Sequence, residues 1–224
     1  NYSLTATATD SVGNVSKPSP SFSFTVDTQA PDPITALIVT DNVAPVIGNV
    51  ANGGSTNDTT PTFSGKVEAG ATVTLYNGAA VMATVKADSN GNWSYTSAAL
   101  DQGTYHFTAK VTDSAGNVST ASTDFVLTID TAAPLTAPTF TVSDDVLPNI
   151  SPVLTGGSTN DPTPTLNGFA ELGSTVTIYN GSTILGTVKA SDIDGSWTFT
   201  PSSNLVDGEY NLKATATDAA GNVG

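Results

Sequence analysis

The chain has 224 residues, only 12% of them charged, and a formal net charge of −14, because six Lys and no Arg face twenty acids. So acidic a surface without a basic cluster excludes nucleic acid and anionic lipid as partners, and no apolar run approaches the roughly 20 residues of a membrane span, so no membrane insertion is expected. The absence of Cys excludes disulfides, thiolate zinc sites and cysteine nucleophiles.

Residues 1–31 begin with NYSLTATATD, which lacks the basic start and apolar middle of a signal peptide. They hold one Asp-x-x-Gly-Asn phrase (Asp10 to Asn14), then FSFTVD and the linker Asp27-Thr-Gln-Ala-Pro31. The same order recurs downstream. Asp10 and Asp113, Asp27 and Asp130, and Asp41 and Asp144 are each 103 residues apart, and Asp113 and Asp218 are 105 apart. A fixed period of this kind is the mark of a tandem array. Residues 1–31 are therefore expected to be the C-terminal strands and linker of a preceding repeat, 32–134 a complete repeat with its linker, and 135–224 a repeat lacking its last strand. The window reads as part of a longer chain.

Within the complete repeat, apolar residues alternate with polar ones over short runs separated by Gly-rich turns, the signature of half-buried strands. The runs predict strand A near 36–40, B near 62–67, C near 72–76, D near 80–87, E near 92–96, F near 104–112 and G near 124–129. No helical period is convincing. About seven strands in about 100 residues is the spacing of an immunoglobulin-like β-sandwich, here without its Cys pair. The fold class is all-β: tandem sandwiches in an elongated rod. The A–B connection, some twenty residues without clear strand character, is unusually long for a compact domain.

Seventeen of the twenty acids are Asp, which favours caps and turns over helices. If each strand reverses the one before, the B–C, D–E and F–G turns of a repeat lie beside the preceding linker. That gathers Asp27, Glu68, Asp88, Asn90, Asp113 and Asn117 for one repeat, and Asp130, Glu171, Asp192, Asp194, Asp218 and Asn222 for the next. Asp41, Asn57, Asp58 and Asp101 approach the Asp130 junction from the opposite side. Crowded carboxylates repel unless neutralised, and six to eight hard oxygens at about 2.3 to 2.6 Å are what Ca2+ takes. Each element also has a plainer reading. Asp-x-x-Gly-Asn is a good turn by itself, and Asp88-x-Asn90-Gly and Asp192-x-Asp194-Gly open like an EF-hand loop yet lack its bidentate Glu. Asp41, Asn57 and Asp58 serve equally to hold a metal or to cap the loop backbone.

The ordered set Asp-Thr-x-Ala-Pro, Gly-Gly-x-Thr-Asn-Asp-x-Thr-Pro-Thr, Glu-x-Gly-x-Thr-Val-Thr, Tyr-Asn-Gly, Asp-x-[Asp/Asn]-Gly-x-Trp and Asp-x-x-Gly-Asn-Val covers nearly the whole chain. It resembles the bacterial Ig-like tandem repeats of giant secreted adhesins and biofilm-associated surface proteins. That resemblance implies a stalk exported by a type I system to the extracellular side of the bacterial surface. It also implies Ca2+ at the junctions, neighbouring repeats of the same chain as partners, and a host-cell or biofilm ligand contacted elsewhere in the full protein. By it, Asp27, Asp113, Asp130 and Asp218 are the foremost ligands. Gln29 in the first linker and Asn42, where the next repeat has Asp145, depart from the pattern and make successive junctions unequal.

No enzyme is expected. The single His106 is replaced by Ser3 and Asn211 in the other copies, and the acids lie on turns with no facing carboxylate pair. Trp93 and Trp197 alternate with Tyr95 and Phe199, which favours core packing. Were their rings exposed, a carbohydrate-binding module would be the alternative function.

Overall fold

The computed structural model describes residues 1–148 and 150–224. All regular elements among them are strands. The first 31 residues contribute β1 (Tyr2–Leu4) and β2 (Phe22–Phe24). The next repeat contributes β3 (Ile38–Asp41), β4 (Gly48–Val50), β5 (Gly54–Thr56), β6 (Thr62–Lys66), β7 (Thr72–Asn77), β8 (Ala80–Lys86), β9 (Asn92–Thr96), β10 (Gly103–Thr112) and β11 (Phe125–Ile129). The last contributes β12 (Thr139–Asp144), β13 (Ser151–Val153), β14 (Thr165–Phe169), β15 (Thr175–Asn180), β16 (Thr183–Lys189), β17 (Ser196–Phe199) and β18 (Leu212–Thr217). The seven predicted strands A to G are β3, β6, β7, β8, β9, β10 and β11.

The chain divides into two compact units that do not follow the repeat boundaries. One comprises residues 1–37, 64–95 and 107–124. In it β7 runs antiparallel between β8 and β10, pairing Val73 with Val85 and with Val111. Val73 and Leu75 are buried while Thr72 and Thr74 are half-buried, the period-two pattern seen in the sequence. β1 and β2 form a separate antiparallel pair. The other unit comprises residues 38–63, 96–106 and 125–224 and holds the whole last repeat. There β13-β12-β14-β17 and β16-β15-β18 are the two sheets of the sandwich. Leu166 and Trp197 from the first and Val176 and Ile178 from the second form a shared core.

The A–B connection departs from expectation, because it contains β4 and β5. β4 folds back antiparallel on β3, pairing Val39 with Val50, and β5 pairs parallel with β11, Thr56 opposite Ile129. Parallel pairing across some 70 residues of chain leaves no local hydropathy signal. The complete repeat therefore has nine strands.

Asp41 and Asp58, 2% and 1% exposed, order this connection from inside. Asp41 accepts from the Val43 N–H at 2.7 Å and the Thr56 hydroxyl at 2.6 Å. Asp58 accepts from the Thr60 N–H at 2.8 Å, the Thr60 hydroxyl at 3.0 Å and the Asn42 N–H at 3.2 Å. The last repeat copies the scheme with Asp144 on Val146 and Thr159, and Asp161 on Thr163. Of the two readings of Asp41 and Asp58, loop capping is the one their hydrogen bonds realise.

Trp93 and Trp197 are each 4% exposed, so neither offers a ring face to a sugar. Each indole lies over a strand-B glycine, Gly65 or Gly168. Both indole N–H groups are buried without a hydrogen-bond partner, so packing alone holds the rings.

Candidate functional site

The Asp-x-x-Gly-Asn phrase forms the same structure three times. Asp113 Oδ1 accepts from the N–H groups of Ala115 and Asn117 at 2.9 and 2.8 Å, and Oδ2 accepts from Asn117 Nδ2 at 2.8 Å. Gly116 sits at φ +94°, with Gly13 at +93° and Gly221 at +97°, a region that penalises any Cβ. Asp10 with Asn14 and Asp218 with Asn222 repeat these bonds. The Asn117 amide, and with it the N–H groups of Asn117 and Ala115, holds the Asp113 carboxyl below the ordinary 3.8. Asp10 is lowered likewise, chiefly by the Asn14 side chain.

The D–E turn is a fourth copy that sequence reading missed. Asp88 Oδ1 accepts from the N–H groups of Asn90 and Asn92 at 2.8 and 2.9 Å, and Oδ2 from Asn92 Nδ2 at 3.2 Å. The phrase Asp88-Ser-Asn-Gly-Asn92 had the right letters, and Asn92 rather than Asn90 closes it. The Asn92 N–H is the main cause of a lowered Asp88 pKa. In the last repeat Ser191 occupies the opening position, accepting at its carbonyl from Gly195 as Asp88 does from Gly91. Asp194 caps Ser196, whose backbone N–H chiefly lowers its pKa, and Asp192 pairs with Lys189 at 3.1 Å.

Residues of the B–C and F–G turns lie beside the linker, whereas Asp88 and Asn90 of the D–E turn, expected in the same set, do not line the cleft there. That cleft, in the first unit, is lined by Asp27, Asp32, Lys66, Glu68 and Asp113, four carboxylates against one ammonium. The linker Asp27 turns the chain by accepting from the Gln29 N–H at 3.0 Å, and Asp130 does the same for Ala132. The second set, Asp130, Glu171 and Asp218, has Leu135 and Phe169 at the positions of Asp32 and Lys66, both exposed. Asp101 contributes a backbone carbonyl, which accepts from the Tyr105 hydroxyl at 2.9 Å, as Val206 does from Tyr210. Asn57 Oδ1 is buried with no hydrogen-bond partner.

The donor set is all hard oxygen, which suits calcium and neither zinc nor copper. Among the described residues, no three His, Cys, Asp or Glu side chains stand close enough to hold a metal ion. The carboxylates share a cleft without being drawn to coordination distance.

The model of the bacterial Ig-like domain matches residues 39–131 and again 136–224. The chain belongs to the bacterial Ig-like domain family. The two matched segments fall inside residues 32–134 and 135–224. A solved structure titled "Biofilm associated protein - BSP domain" is similar at 23% identity over 75% of this chain, with a TM-score of 0.28. The chain spans about a quarter of that structure's length, 26%. No curated protein matches the chain significantly.

Proposed function

We propose that the chain is a structural stalk segment of a large bacterial cell-surface adhesin, stiffened outside the cell by Ca2+ bound where linker and turn carboxylates meet. Family membership in two tandem copies supports the stalk, and the cleft shared by Asp27, Glu68 and Asp113 carries the calcium reading. Four carboxylates around one ammonium leave net negative charge that a divalent cation would relieve. Calcium is plentiful outside cells, so a stalk of this kind stays pliant before export and stiffens after it. A bound ion would have to draw Asp27, Glu68 and Asp113 together, since they stand beyond coordination distance here, and turn hydrogen bonds favour the ionised form of Asp113. The second set, Asp130, Glu171 and Asp218, lacks both the extra carboxylate and the ammonium, so the two sites differ in affinity.

The test is thermal unfolding of the whole chain with millimolar Ca2+, with Mg2+, and with chelator. A ligand at 100 times its dissociation constant adds about 2.7 kcal/mol per site, a plain melting shift. A shift specific to Ca2+ and reduced by Asp27→Ala supports the reading. Superimposable melts in all three conditions would overturn it.

A further inference from the structure

Of the three F–G turns, only the third has the A–B connection of a preceding repeat within residues 1–224. Ala115 and Gly116 are exposed, as are Val12 and Gly13, whereas Ala220 and Gly221 are buried, Ala220 at 1%. What covers the third turn is the A–B connection of the preceding repeat. The Asn57 N–H donates to the Ala220 carbonyl at 3.0 Å, and a Cβ built on Gly221 would touch Asn57 Nδ2 and Val46 at 3.4 Å.

The linker is gripped at the same place. The Asp130 N–H donates to the Thr56 carbonyl at 2.9 Å, and the Asp130 carbonyl accepts from Asn222 Nδ2 at 2.9 Å. One residue is thus held from both sides, by the repeat before it and the repeat after it. Asn117 Nδ2 makes the equivalent bond to the Asp27 carbonyl at 3.2 Å. Each of these Asn amides spends one hydrogen on its own turn Asp and the other on the linker. This use of both hydrogens accounts for Asn at the motif's last position, since Asp has no donor and Gly no side chain.

We infer that the F–G turn is one half of a repeat-to-repeat clasp that closes without metal. Its partner is the Thr-Asn-Asp corner of the preceding A–B connection together with the linker carbonyl. The contacts are neutral amide and backbone hydrogen bonds, so they persist where calcium is absent and are little weakened by salt. The clasp is independent of the calcium reading: it sets which surfaces meet, and a cation would add to it.

The reporter is the Asn57 amide, whose hydrogen bond crosses the junction without involving Asn222. Its hydrogen exchange is followed by NMR on the whole chain in chelator. The clasp predicts protection of Asn57 in the unmodified protein and exchange about tenfold faster in both Asn222→Ala and Asn222→Asp. Asn117→Ala removes the same amide from an exposed turn and leaves Asn57 protected, which separates loss of the clasp from loss of a turn. An unprotected Asn57 amide in the unmodified chain under chelator would overturn the inference. So would full protection in Asn222→Asp, because a carboxylate there supplies a metal ligand and no donor.

Discussion

Gly168→Ala tests whether strand B must carry glycine beneath the core tryptophan. A Cβ at Gly168 would lie 2.0 Å from the Thr139 carbonyl oxygen and 2.7 Å from Trp197 Cζ2. Thr139 opens β12, which pairs with β14 at this point, Phe140 opposite Gly168. The clash is therefore with backbone inside a ladder as well as with a buried ring, and neither swings away. Overpacking of this kind costs about 1–3 kcal/mol, and a rigid backbone neighbour puts this site near the upper end. For a domain of about 90 residues that is a fall in melting temperature on the order of 10–20 °C. Gly65→Ala is the internal comparison, since its nearest contact is Trp93 Nε1 at 3.1 Å. A few tenths of an ångström of ring movement relieves it, and the stiffer unfolded chain returns about 0.4–1 kcal/mol. Thermal melts followed by tryptophan fluorescence should show a large drop for Gly168→Ala and a small one for Gly65→Ala. Equal melts for the two variants would refute the argument that strand B is locked by backbone contact.

Two further predictions concern the acids. Asp41→Ala strands the buried Thr56 hydroxyl and the Val43 N–H, at about 1–3 kcal/mol, whereas Asp144→Ala costs less, because its partner Thr159 is exposed and water replaces the lost bond. Denaturant unfolding measures both, and unchanged midpoints would show that these carboxylates do not hold their loops. Asp113 has a folded pKa below 3.8, so the stability it contributes is present above 3.8 and is lost as pH falls through the lower folded value. NMR titration of its carboxyl should give a midpoint under 3.8 that rises toward 3.8 in Asn117→Ala. A midpoint unmoved by that substitution would assign the shift to another cause.

The strands, their order and the repeat period were legible in sequence because period-two alternation and turn residues act locally. All seven predicted strands fall within a residue or two of the observed ones. The Asp-x-x-Gly-Asn turn was equally legible, since its bonds join residues at most four apart and demand Gly at positive φ. What the chain alone left undecided depends on partners far away along it. β5 is a strand only because β11, some 70 residues later, runs parallel beside it. Asp41 and Asp58 look like any surface acids until the fold buries them against Thr56, Thr60 and backbone N–H groups. The second hydrogen of Asn222 finds the Asp130 carbonyl 92 residues away. Local chemistry shaped each turn, but only the docking of one repeat on another decided which turn atoms remained for a neighbour, because a buried donor must find an acceptor wherever tertiary packing places one.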